Sequence, residues 1–312
     1  MKTYMGLPHQ ITAPRPTTLV NSARLCASLG VEVVLASETF QYTGSFKYRA
    51  AYNVARSVSQ LHIITASSGN FGQALAYACA LFAKRCTVVM PATAVRAKID
   101  AIVFYGGRVD LVDTDVMPRE DRVAQLKAEN PDAYIASAYD DPLVIAGNAG
   151  LGRELSALDP KCDAIIVPVS GGGIAAGIIT GLRQAGTQVP VYGAEPRLAN
   201  DAARSLQTGV LTSLPAEPPT IADGARVRRL GDHTWPILRA GVESIIEVSE
   251  DQIEEAVRML FADANLKAEP TGALGVAALL AEPGRFAAKR VCCIVTGGNA
   301  DPQVYARIIS RR

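Results

Sequence analysis

From residue 62 onward the chain alternates short β-branched runs with segments of helix length, and no other feature constrains its fold as much. LHIIT is followed by residues 70–85, where Phe71, Ala74, Leu75, Ala78, Leu81 and Phe82 recur at helical spacing, and then by CTVVM. RVDLVD, AYIAS, AIIVPV, VPVYGAE and VCCIVT continue the strands, and EDQIEEAVRMLFADAN has the pattern of a capped helix. Strands joined through helices pair in parallel, so the pattern predicts an α/β fold of open, mostly parallel sheets flanked by helices. A length of 312 residues suits two domains. No Pro/Gly linker marks a cut between them, so a second domain is expected as an insertion rather than a tail.

Several function classes drop out on composition. Lys+Arg 31 against Asp+Glu 30 leaves no basic field for nucleic acid. No apolar run reaches the roughly 18 residues of a membrane span, and the first twenty residues lack the apolar core of a secretory signal. The six cysteines show no CxxC spacing, which predicts reduced core thiols and a cytoplasmic location. His9, His62 and His233 are the only histidines and none accompanies a Ser or Cys motif, so a His-based triad or His-rich metal site is not expected.

Three glycine-rich turns follow expected strands: SSGN (Ser67 to Asn70), SGGGI (Ser170 to Ile174) and TGGN (Thr296 to Asn299). Open α/β sheets hold ligands at the carboxyl ends of their strands. In SGGGI, backbone N–H groups can converge unobstructed, and the following helix presents its positive end, which together suit a phosphate. The turn is neither a Walker A loop nor GxGxxG, and by itself it serves equally as a packing turn. Lys47, in TGSFKYRA, reads alone as a helix-surface lysine. Beside a phosphate loop it suggests pyridoxal phosphate held as a Schiff base. TGSFK also contains Ser-x-Lys, but the remaining motifs of penicillin-recognising enzymes are absent.

TGSFKYRAAYN, ASSGNFGQALAYA, PVSGGGIAAGI, TIADGARV, AEPTGALGVAALL and IVTGGNAD resemble, in order and spacing from about Pro14 to Asp301, the threonine/serine dehydratase and serine racemase family. These are fold-type II pyridoxal-phosphate enzymes. The resemblance implies a tryptophan synthase β-like fold with the cofactor in an interdomain cleft. Residues 1–53 and 141–312 would form the large domain and 54–140 the small inserted one. It implies Lys47 as the Schiff-base lysine and general base, with Phe46 packing by the cofactor and Asn70 on its ring hydroxyl. Gly171, Gly172 and Gly173 would hold its phosphate, and Thr296 would face the pyridine nitrogen. Ser67, Ser68 and Gly69 would receive the carboxylate of an amino-acid substrate.

A hydroxyl at position 296 cannot protonate the ring nitrogen as a carboxylate could, which favours prompt loss of a β-leaving group. The expected reaction is therefore dehydration and deamination of serine or threonine to a 2-oxo acid and ammonia. Ser68 lies where the racemase branch of the family has a serine on the face opposite the lysine, which keeps a racemase open. A 3-hydroxyaspartate dehydratase and a β-replacement synthase are further alternatives. The resemblance also implies a homodimer, and a divalent cation (Mg²⁺, Ca²⁺ or Mn²⁺) held by Glu195, Asp201 and the carbonyl of Ala199. The sequence departs from the family pattern at Phe71, where His is usual, at Asn148 for Gln, at Ala149-Gly150 for Gly-Thr, and at Thr296 for the commoner Ser. Arg119, Arg122, Arg226, Arg228 and Arg229 are surface charges or receptors for a second substrate carboxylate.

Overall fold

The computed structural model describes residues 12–67, 69–94 and 96–310. Numbered along the chain, the strands are β1 (Thr18–Asn21), β2 (Glu32–Ser37), β3 (His62–Ala66), β4 (Arg85–Pro91), β5 (Arg108–Val112), β6 (Tyr134–Ile135), β7 (Ala164–Pro168), β8 (Val191–Pro196), β9 (Ser244–Val248) and β10 (Arg290–Val295). They form a six-stranded sheet in the order β1-β2-β10-β7-β8-β9 and a four-stranded sheet in the order β5-β4-β3-β6. Every pairing is parallel except β1 with β2, where Thr18 lies opposite Ser37. The α/β architecture expected from the alternation is the one observed.

Period-two alternation along buried strands builds a core on each face of the larger sheet. Leu35, Ile166, Val291, Cys293 and Val295 point to one side, where the helices Glu250–Ala264 and Leu274–Ala281 cover them. Ala36, Ile165, Val167, Cys292 and Ile294 point to the other, under the helices Pro142–Ser156 and Gly173–Gln184. The smaller sheet divides in the same way. Ile63, Val88 and Met90 face one cluster, and Ile64, Val89 and Val112 face another. The helix Glu250–Ala264 carries a full capping box between Ser249 and Gln252. All six cysteines are free thiols, five of them buried.

Some details differ from the sequence expectation. The helix read over 70–85 ends at Leu81, because Ala83 takes a left-handed φ of 53° and the Lys84 N–H turns back to Cys79 O. AYIAS yields only the two-residue β6. β1, β2 and β9 lie outside the strand runs recognised from the sequence.

Candidate active site

Three adjacent strands of the larger sheet, β2, β10 and β7, release their chains at the same edge. After β2 the chain turns through residues 38–46 into the helix Lys47–Ser57. After β10 it enters the TGGN turn, and after β7 the SGGG turn. The first two are joined directly: Phe46 N–H donates to Thr296 O at 2.9 Å, and Ser45 pairs with Gly297. The SSGN turn arrives from β3 in the other sheet and opens the helix Asn70–Leu81. Four segments distant in sequence therefore converge.

Lys47 is half-buried, with its ammonium 4.9 Å from the centre of the Phe46 ring and 5.9 Å from that of Phe71. It donates to the carbonyl of Ala138 at 2.7 Å. Burial pushes the amine down to about 8, against the attraction of Glu269. Phe71, the departure from His, is a core residue whose ring lies under the Lys47 ammonium.

Asn70 is held from both ends of its amide. Its Nδ2 donates to Glu269 Oε1 at 2.8 Å, and its Oδ1 accepts from Asn299 Nδ2 at 2.7 Å. Asn299 also donates to Thr43 O at 2.8 Å, which ties TGGN to the turn before Lys47. Glu269 is buried, and burial followed by Asp223 pushes its carboxyl up to about 7, against the Asn70 amide, Lys98 and Lys47. Thr296 is buried and its hydroxyl has no hydrogen-bond partner. Ser67 is buried too, and its Oγ accepts from Gly72 N at 3.1 Å and from Gly69 N at 3.4 Å, which shapes the loop. Ser68 lies outside the described residues.

The glycine loop is constrained from several sides. Gly172 has φ +90°, and a Cβ there would lie 2.8 Å from Thr234. A Cβ on Gly171 would clash with the Tyr139 ring, and one on Gly173 would lie 3.0 Å from the Tyr139 backbone. Thr234 Oγ1 donates to Gly171 O at 2.8 Å, and Ser170 Oγ donates to Gly224 O at 2.7 Å. The loop is fixed in place, with the first turn of the helix Gly173–Gln184 behind it.

Lys47 rests on a buried ion cluster two residues away. Arg49 donates from Nε to Glu38 Oε2 at 2.7 Å and from Nη1 to Glu154 Oε1 at 2.7 Å, with Nη2 reaching both acids and Arg15 O. Away from this cluster, Glu195 and Asp201 are buried, and Glu195 Oε1 accepts from Ala203 N at 2.8 Å while Asp201 Oδ2 has no partner. Burial raises both carboxyls, Asp201 to about 7, and Asp201 adds to the rise at Glu195. Among the described residues no three or more His, Cys, Asp or Glu side chains gather as a metal-binding group. None of their helices is long and apolar enough to cross a membrane.

Residues 11–297 match the family model described as pyridoxal-phosphate dependent enzyme. L-threo-3-hydroxyaspartate ammonia-lyase of Pseudomonas sp is 36% identical over 94% of this chain and 92% of its own length. Serine racemase of Bos taurus is 35% identical over 91% and 88%. The crystal structure of a threonine deaminase from T.th. superposes with a TM-score of 0.86 at 38% identity, over 92% of this chain and 94% of that one. The chain is a pyridoxal-phosphate dependent enzyme. Its fold is the fold-type II architecture of the threonine deaminases and serine racemases.

The residues present fit that family's cofactor. A buried hydroxyl without a partner at Thr296, a depressed amine at Lys47 and a helix N-terminus behind glycines at 171–173 are groups of the kinds that an aromatic aldehyde phosphate would use. Two residues escaped the sequence reading. Glu269 stands in the recognised AEPTGA motif, yet only the fold shows it bonded to Asn70. Tyr139, with no motif around it, packs against the glycine loop.

Proposed function

We propose that this enzyme removes water and ammonia from a 3-hydroxy amino acid, with Lys47 as both cofactor lysine and general base. The substrate loses its α-hydrogen and β-hydroxyl, and hydrolysis of the resulting enamine-level product gives a 2-oxo acid and ammonium. Pyridoxal phosphate, when bound, supplies the electron sink for charge left at Cα. Phe46, Asn70, Gly171, Gly172, Gly173 and Thr296 would hold it. An amine near pKa 8 is partly neutral at neutral pH, which a proton acceptor requires. The backbone at Gly69 and the hydroxyl of Ser67 would receive the substrate carboxylate.

The unpartnered Thr296 hydroxyl is the observation that carries this reading, since it offers the far end of the ring a neutral group rather than a carboxylate. L-Serine, D-serine, L-threonine and 3-hydroxyaspartate should be assayed for keto-acid release and, separately, for inversion by circular dichroism. Keto acid from at least one of them is expected; inversion with no keto acid from any would make the enzyme a racemase. That second reading is supported by Ser68 in SSGN and by the bovine relative named serine racemase. Ser68→Ala should then remove inversion and spare elimination.

The same reading puts a divalent cation at Glu195, Asp201 and the Ala199 carbonyl, supported by two buried carboxylates, one of them with an unpartnered oxygen. The two sheets support a division into 1–53 with 141–312 and an inserted 54–140. A homodimer is checked by sedimentation.

A further inference from the structure

The short turn Asp223–Ala225 is the point where three parts of the site meet. Gly224 O accepts from Ser170 Oγ of the glycine loop at 2.7 Å. Gly224 N–H donates to Thr271 Oγ1 at 3.0 Å, two residues beyond Glu269. Asp223 Oδ2 accepts from Lys98 Nζ at 2.8 Å, and Lys98 belongs to the helix Arg96–Phe104, which follows β4 of the smaller sheet. This ion pair is part-exposed and joins the helix that follows β4 of the smaller sheet to a turn that lies in the chain between β8 and β9 of the larger one.

Three charged groups, Lys47, Lys98 and Asp223, thus act on one buried carboxyl. Lys47 and Lys98 attract a negative charge on Glu269, Asp223 opposes it, and the Asn70 amide occupies Oε1. Oε2 is left as the oxygen able to carry a proton. Nothing in the role of Lys47 as base uses Glu269.

We propose that Glu269 is a second proton-holding group of this site, and that the Lys98–Asp223 pair between the sheets sets its charge. Asp223 unopposed drives Glu269 toward its neutral form, and Lys98 unopposed drives it toward its charged form. Any movement that parts the two sheets would change that balance and so couple cleft geometry to protonation. The proposal rests on Lys47 bearing the cofactor.

The test is the pH dependence of the holoenzyme's visible cofactor absorption in Lys98→Met, Asp223→Asn and Glu269→Gln. Lys98→Met should raise the midpoint near neutrality and Asp223→Asn should lower it, each by roughly half a unit, the scale of one charge at several ångströms in a partly solvated site. Glu269→Gln should abolish that midpoint. In cofactor-free protein, Glu269→Gln should also lower the pH at which Lys47 becomes acetylated by acetic anhydride, followed by mass spectrometry. Shifts of the same sign in the Lys98 and Asp223 variants, or a midpoint that survives Glu269→Gln, would overturn the proposal. Peptide mapping of borohydride-reduced holoenzyme checks Lys47 separately, so failure of that assignment is distinguishable.

Discussion

At the scale of single residues, the proposed chemistry rests on an amine kept off its usual ionisation by its surroundings. Two aromatic rings and a backbone carbonyl enclose the Lys47 ammonium, and water is the solvation it loses. Lys47→Arg keeps the charge but cannot form a covalent link to the cofactor. It should lower kcat/KM by about 10⁴-fold or more, the upper range for loss of a positioned proton-transfer group, and abolish the borohydride-fixed label. As candidates, Lys47 and Asn70 were legible in the sequence only through the motifs that carry the family resemblance, since Lys47 by itself reads as a surface lysine. Glu269 was not, because its partner Asn70 is 199 residues away and the pairing exists only in the fold.

At the scale of elements, turns at strand ends hold these residues, and each turn is braced by a particular contact. Gly172 adopts φ +90° against Thr234. Gly172→Ala should cost about 1–2 kcal/mol from the left-handed backbone alone, with a further loss from the displaced Thr234. The expected result is a lower Tm together with weaker cofactor binding by fluorescence titration. The helix that begins at Lys47 is anchored by Arg49, whose guanidinium is enclosed by Glu38 and Glu154. Arg49→Met leaves Glu38 buried without its cation and should destabilise the fold by about 3–5 kcal/mol in urea unfolding. The SGGG turn was visible in sequence, but what its glycines accommodate was not. Tyr139 and Thr234 come from other segments, and periodicity carries no information about which side chain will face a turn.

At the scale of the whole molecule, the α/β class followed from alternation, since strands buried on both faces need β-branched runs and parallel pairing needs helices between them. The antiparallel β1 edge and the central place of β10 did not follow, because strand order is set by packing between distant segments. The buried acids Glu195 and Asp201 tie global stability to pH. An unfolded Asp titrates near 3.8 and the folded Asp201 near 7. Between those values the folded state binds more protons, so stability without a cation falls as pH rises through that window. Bound Mg²⁺ should offset the loss, so the gain in Tm on adding it should grow from pH 5 to pH 8 in differential scanning calorimetry. An EDTA-treated protein whose Tm ignores Mg²⁺ at every pH would remove the cation site from the account.

The bond from Asn299 to Thr43 closes a loop of 256 residues, and β10 fills the gap between β2 and β7 after both have been made. A nascent chain that has not yet released β10 therefore cannot complete the larger sheet. Such a chain also lacks Thr296 and Asn299, although Lys47 and residues 171–173 precede them in synthesis. Contacts of such long range favour slow folding. A nascent chain should thus acquire its affinity for the cofactor late and in one step, and a ribosome stalled before residue 290 should display a chain that does not hold pyridoxal phosphate.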